Sequence, residues 1–268
     1  DTARTKLRRL QQIYQSWQAD PVFPHPDGYN PFELVLSKRD LSRPKPKQPP
    51  RLSIAKLRSI IKDVTHLRDR AVIGLQLKLG LRASELKNIE LRDVHLDAPC
   101  VQDTYSMLGT HQAVAERPNA VYVPPRSERG GNKSFRPRVL PLDAEVQRLL
   151  RQYLLVRPHA DTDAMLLTTS THNPLTTEDI NRIWREVFRP EYNETKTHRA
   201  ITSHFGRHRF TTYWRVEQDL NRELLKYMRG DTPGSATIND RGAIDEYIHT
   251  YYEDIEPIYR NQIYQLTG

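Results

Sequence analysis

The 268-residue sequence predicts a mainly α fold carrying one small antiparallel β-sheet. Apolar residues recur at helical spacing through most of the chain, as at Leu7, Leu10, Ile13, Tyr14 and Trp17 and again at Ile54, Leu57, Ile60 and Ile61. Strand signals are confined to residues 90–145, which read as β-rich. There, Ala120–Val123 and residues 138–142 flank a polar loop whose Gly130-Gly131-Asn132 run favours a turn.

Composition bounds the function. The 41 Lys+Arg exceed the 33 Asp+Glu, for a net charge of +8, and the pI is about 9.5. A pI this high fits an electrostatic footprint for nucleic acid. No apolar run approaches the ~20 residues that span a bilayer, so no membrane segment is expected. Cys100 is the only cysteine, which excludes an intrachain disulfide and fits a reducing, cytoplasmic setting.

Residues 2–20 predict one helix, ended by Pro21, Pro24 and Pro26. One helix cannot bury its own apolar stripe, so a partner is expected upstream of Asp1 or on the next domain. A short element begins at Asn30-Pro31. Residues 43–51 form a basic, Pro-rich linker whose Lys45 and Lys47 can follow a DNA backbone. The expected division is therefore 1–42, linker 43–51, and a main domain over 52–268.

In the main domain, Ser53 caps a helix, and a second runs from Leu67 to Leu79 until Gly80 stops it. Arg82 follows that break at the head of a third, short helix, where backbone N–H groups and a guanidinium suit an anion. Glu85 is placed to brace that guanidinium. The hairpin loop carries Arg129 and Lys133 at a basic tip able to reach a DNA groove. Helices return over residues 145–157 and 177–188.

Residues 203–214 then place His204, Arg207 and His208 at i, i+3 and i+4, on one face without a carboxylate. Such a face suits a phosphate, because arginine offers it paired N–H donors. A zinc site fits less well, since the H-E-x-x-H general base is missing and Arg207 repels a cation. Phe205, Phe210 and Trp214 anchor the opposite side, and Arg209 adds a further candidate DNA contact. A helix over 221–228 leads to a breaker-rich loop, and a tyrosine-rich helix over 244–254 follows. Beyond it, Ile255, Ile258, Tyr259, Ile263, Tyr264 and Leu266 make an apolar stripe that can pack on its own domain or on a neighbouring protomer.

Four short motifs, in this order, resemble those of the tyrosine recombinase (phage-integrase type) family. They are Gly80-Leu81-Arg82-Ala83-Ser84-Glu85-Leu86, Lys133 before Val139-Leu140-Pro141-Leu142, Ser203-His204-Phe205-Gly206-Arg207-His208, and Tyr247-Ile248-His249. The resemblance covers roughly residues 52–249. It implies a tyrosine-recombinase catalytic domain preceded by the last helix of a core-binding domain, in an integrase of prokaryotic, archaeal or viral origin. It implies Arg82, Lys133, His204, Arg207 and Tyr247 as catalytic residues, with Glu85 and His208 in support. The implied reaction cuts and rejoins DNA through a 3′-phosphotyrosine, without metal or cofactor. The implied partner is a specific duplex DNA site, bound as a homo-tetramer by a chain that is a monomer alone, in the nucleoid. The resemblance favours docking of the C-terminal stripe on a neighbouring protomer. One departure stands out: where the family has a Gly-His pair, this chain has Gly230-Asp231, and an ionised carboxylate cannot donate to phosphate. His249 is a weak substitute. Tyr251 and Tyr252 are rival nucleophiles, and a type IB topoisomerase or a decayed DNA-binding module are rival functions.

Overall fold

The computed structural model describes residues 2–22, 25–26, 28–39, 47–189, 191–231 and 251–267. The chain divides into two compact units, Asp1–Gln48 and Pro49–Gly268.

The first unit pairs helices α1 (Thr2–Gln18) and α2 (Pro31–Lys38). Asn30 organises the pairing. Its side-chain oxygen accepts from the Phe32 and Glu33 amides at 3.1 and 3.3 Å, capping α2, while its amide donates to the Gln11 carbonyl on α1 at 3.2 Å. Tyr14 meets Phe32 edge-on, with ring centres 6.0 Å apart. The expected stripe therefore has a local partner in α2, although Leu10, Ile13 and Trp17 each keep more than 40% of their surface exposed.

The second unit is mainly helical with a small sheet, as the sequence predicts. Its helices are α3 (Ile54–Lys62), α4 (Leu67–Leu79), α5 (Ala83–Lys87), α6 (Pro99–Gln102), α7 (Gln112–Ala115), α8 (Ala144–Leu154), α9 (Thr177–Phe188), α10 (His204–Thr212), α11 (Arg222–Arg229) and α12 (Tyr251–Gln262). Strands β1 (Val94–His95), β2 (Ala120–Val123) and β3 (Arg138–Pro141) form one antiparallel sheet in that order, with Val121 opposite Val94 and Leu140. The β-rich expectation for residues 90–145 is thus only half right. Residues 99–115 show no apolar alternation, and they fold into two single-turn helices instead.

Helix α4 is the centre of the core. From Ala71 to Leu79 it is buried on every side, Gln76 and Lys78 included, and it packs against α8 and α10. Gly80 ends it in the left-handed region at φ 64°. A β-carbon there would lie 2.6 Å from the Phe210 ring, so α10 can approach only because the residue is glycine. Phe205 and Phe210 of α10, and Trp214 just beyond it, are buried in the core, as predicted.

In the single chain the C-terminal stripe packs on its own domain, the cis arrangement. Ile255, Tyr259, Ile263, Tyr264 and Leu266 are buried in the main core. The last carbonyls of a helix have no partner within it. Here Tyr259 and Tyr264 donate to the Lys78 and Leu77 carbonyls of α4 at 3.0 and 2.6 Å. Lys78 is itself fully buried, 2.6 Å from both Asp143 and Glu145. Glu145 also accepts from the Leu266 amide at 2.8 Å and from the Thr267 amide and hydroxyl. The tail therefore satisfies groups that burial would otherwise leave unpaired. Among the described residues no helix is long and apolar enough to cross a membrane.

Candidate active site

The left-handed turn at Gly80 brings Arg82 to the head of α5. The Arg82 amide donates to Glu85 Oε2 at 2.9 Å and its Nη1 to Glu85 Oε1 at 2.9 Å, so one carboxylate fixes both backbone and guanidinium. Glu85 is fully buried and also accepts from Arg138 Nη2 at 3.0 Å. Arg138 opens β3 opposite Val123, and its Nε donates to the Met228 carbonyl on α11 at 3.1 Å. Burial alone would raise the Glu85 pKa. Arg138, the Arg82 amide, Arg207 and Arg82 outweigh it and hold the carboxyl below the usual range. Glu85 therefore stays ionised and ties α5, β3 and α11 together.

Arg207 comes from α10 and is almost completely buried. Its Nη1 donates to the Gly80 carbonyl at 2.9 Å, joining it to the turn that presents Arg82. Burial, and then the charge of Arg82, push its pKa down to about 9, which leaves it a cation at neutral pH. His204 and His208 sit one turn apart, rings edge to face with centres 4.5 Å apart. Both side chains reach solvent. Burial of the inner side of the His204 ring, then His208, Arg207 and Arg82, lower its pKa to about 4, and burial with Arg229 lowers that of His208. Both imidazoles are thus neutral at physiological pH, able to donate through one nitrogen and accept through the other.

Asp231 lies where these groups converge. Its Oδ1 accepts from Arg82 Nη2 at 3.0 Å and from Arg207 Nη2 at 2.6 Å, and its Oδ2 lies 2.9 Å from Arg229 Nε. The Arg229 contact has the angle of an ion pair and not of a hydrogen bond. Asp231 reaches this place because Gly230 closes α11 at φ 61°. A β-carbon on Gly230 would stand 2.3 Å from Arg138 Nη1 and 2.7 Å from Ser134 Oγ. The residue read as a lost donor is thus the counter-ion of the arginine cluster.

The hairpin loop between β2 and β3 is pinned at its base. Asn88, at the end of α5, donates to Asn132 Oδ1 at 2.9 Å and to the Gly130 carbonyl at 3.0 Å, and Asn132 donates to the Pro124 carbonyl at 2.8 Å. Lys133, beside the buried Asn132, is exposed and has no hydrogen bond or ion pair among the described residues. The structure does not bring it onto Asp231.

Two of the residues expected to contact DNA are mostly buried and paired with carboxylates. Arg129 is mostly buried, with Nη2 2.8 Å from Glu90 and 3.1 Å from Asp93 and with Nη1 on Asp93 and the Asn88 carbonyl. Arg209 is 8% exposed and grips Glu217 through both Nη atoms at 2.6 and 3.0 Å, beside the Tyr213 and Tyr264 rings. Nearby carboxylates hold both guanidiniums inside the fold. Lys47 is partly exposed. Lys45, Tyr247 and His249 lie outside the described residues. Of the rival tyrosines, Tyr251 meets the Tyr227 ring with centres 4.7 Å apart. Tyr252 is buried and donates to Glu256 Oε1 at 3.1 Å, and burial with that carboxylate pushes its pKa up to about 12.

Sequence reasoning missed Arg138 and Arg229. The available signals were an arginine at the head of an apolar strand and one immediately before the glycine that closes a helix.

The order of elements, the hairpin beside α5 and the α10 face together define a tyrosine-recombinase catalytic fold. The model of the phage integrase family matches residues 51–230, and the chain belongs to that family. It is a tyrosine recombinase, an enzyme of DNA strand cleavage and rejoining. Tyrosine recombinase XerC of Staphylococcus haemolyticus (strain JCSC1435) is 24% identical over 266 residues, covering 97% of this chain and 74% of that protein. Among solved structures, the Tn1549 transposon integrase in complex with a circular intermediate DNA aligns with a TM-score of 0.61 at 20% identity, over 92% of this chain and 79% of that one. A lambda integrase tetramer bound to a Holliday junction aligns with a TM-score of 0.58 at 12% identity, over 88% and 60%.

Proposed function

We propose that this chain cuts and rejoins duplex DNA at a specific site through a covalent 3′-phosphotyrosine on Tyr247, without a metal ion. The observation that carries the reading is the single oxygen of Asp231 held between Arg82 and Arg207. A site that gathers two guanidiniums from separate helices onto one anionic oxygen is suited to a non-bridging oxygen of a phosphodiester.

The chemistry follows from the residue types. The Tyr247 hydroxyl attacks phosphorus and loses its proton. The bond from phosphorus to the 5′ oxygen breaks, and that oxygen takes a proton from Lys133, whose exposed place on the loop lets it follow the DNA. Arg82 and Arg207 balance the charge that builds on the non-bridging oxygens. His204, neutral in the free chain, is able to bond the phosphate or accept the phenol proton, and His208 supports it. Attack by a second 5′ hydroxyl on the phosphotyrosine reverses these steps and rejoins strands without external energy. Tyr252, held by Glu256, is the poorer nucleophile. Assembly as a homo-tetramer on DNA, from a chain that is a monomer alone, is the proposed arrangement, and the lambda integrase tetramer bound to a Holliday junction supports its tetrameric part. Such an enzyme acts at the nucleoid.

The test is to incubate the chain with a nicked candidate site, digest the trapped adduct, and locate the nucleotide by mass spectrometry. The expected result is a nucleotide on Tyr247 and no adduct from Tyr247→Phe. A nucleotide on Tyr251 or Tyr252 overturns the assignment, and no adduct from the parent chain leaves a DNA-binding module without cleavage.

A further inference from the structure

Three guanidiniums, and not two, surround the Asp231 carboxylate. Arg82 and Arg207 share Oδ1, while Arg229 faces the other oxygen, Oδ2, at 2.9 Å. The two oxygens of a carboxylate are spaced much like two non-bridging oxygens of a phosphodiester. An anion that takes the place of Oδ1 therefore brings a second oxygen towards Arg229. Arg229 is the last residue of α11, set by the Gly230 turn, which leaves no room for another residue against Arg138 and Ser134. Its charge helps lower the pKa values of His204, Arg207 and His208, so it acts on all three groups of the α10 face. Among the described residues, the carboxylates that pair with Arg82, Arg138, Arg207 and Arg229 are Glu85 and Asp231, a balance that suits one further anion.

We propose that Arg229 is a third phosphate-binding residue, supplying from position 229 the donor that the family resemblance would place at 231. This rests on the reading that Arg82 and Arg207 hold the scissile phosphate. Asp231 and that phosphate are both anions and cannot share the seat. When the phosphate enters, Asp231 leaves, and Arg229 transfers its contact from Oδ2 to a non-bridging oxygen. A merely structural Arg229 would instead complement the C-terminal end of the α11 dipole and pair with Asp231. Neither of those tasks depends on the charge of the DNA.

That difference gives the experiment. Adduct formation is timed for the full chain and for Arg229→Ala, Arg229→Gln and Arg229→Lys. Two nicked sites are used, one with an ordinary scissile phosphodiester and one with a methylphosphonate, in which a neutral methyl replaces one non-bridging oxygen. On the phosphodiester, Arg229→Ala and Arg229→Gln are expected to slow adduct formation about 10²-fold, the usual effect of losing one such donor, and Arg229→Lys is expected to recover part of the rate. On the methylphosphonate, the deficit of both neutral variants should shrink at least about tenfold, because less charge needs balancing. An equal deficit on both sites, or cleavage by Arg229→Gln at the parent rate, overturns the proposal while leaving Arg82 and Arg207 in place. A parent chain that forms no adduct on either site overturns the underlying reading as well.

Discussion

Two ion clusters in the second unit teach by contrast. At the C-terminal end of α4, Lys78 meets Asp143 and Glu145, with side chains 0%, 4% and 1% exposed. Around Asp231, the side chains of Arg82, Asp231 and Arg229 are 23%, 27% and 29% exposed. The first cluster is closed. Its carboxylates outnumber its cation, and the tail amides and a threonine hydroxyl complete their hydrogen bonds. The second is open and, among the described residues, carries surplus positive charge, and its counter-ion stands on a turn where a substrate anion can replace it. A structural cluster satisfies its charges from within the chain. A binding cluster keeps one place for an outside ion.

The largest expected effect breaks the closed cluster. Lys78→Met leaves two carboxylates in the interior without their cation, and it should destabilise the chain by about 3–5 kcal/mol. Urea unfolding measures this, and a change below about 1 kcal/mol would show that the cluster is not closed in solution. Charge removal in the open cluster should act in the other direction on function. Asp231→Asn empties the negative charge from the anion seat, so adduct formation should be at least as fast as in the parent chain, by up to about tenfold. Its cost in stability should stay within about 1 kcal/mol, as for a partly exposed ion pair. Loss of adduct formation in Asp231→Asn would mean that the carboxylate takes part in the chemistry.

The smallest effect concerns pH. His204 has a pKa of about 4 when folded against about 6.5 when free. Between those values the unfolded chain binds the proton and the folded chain does not, so the His204 contribution to stability is present above about pH 6.5 and is lost as the pH falls towards 4. In paired unfolding curves across this window, the parent should lose more stability on acidification than His204→Gln. Identical slopes would show that burial, with the charges of His208, Arg207 and Arg82, does not lower the His204 pKa.

Much of this contrast was legible in the sequence, and the limits were physical. The helix Leu67–Leu79 and its stop at Gly80 carry strong local signals, and so does the i, i+3, i+4 spacing of His204, Arg207 and His208. Those signals place Arg82 and Arg207 at helix positions that the fold brings together. Partners distant in sequence were not legible. Arg138 looked like a polar strand end, yet it is tied to Glu85, 53 residues away. Arg129 and Arg209 looked like surface charges, because nothing in periodicity shows that Asp93, Glu90 and Glu217 close over them. Asp231 was read by what it cannot donate, whereas its place is set by what it accepts.

The central claim is that Asp231 marks the seat of the scissile phosphate. The measurement that tests it most directly is an experimental structure of Tyr247→Phe on an uncut site. The account predicts non-bridging oxygens within hydrogen-bond distance of Arg82 and Arg207, with Asp231 displaced from both. A scissile phosphate bound elsewhere, with the Asp231 carboxylate still between the two arginines, would contradict it.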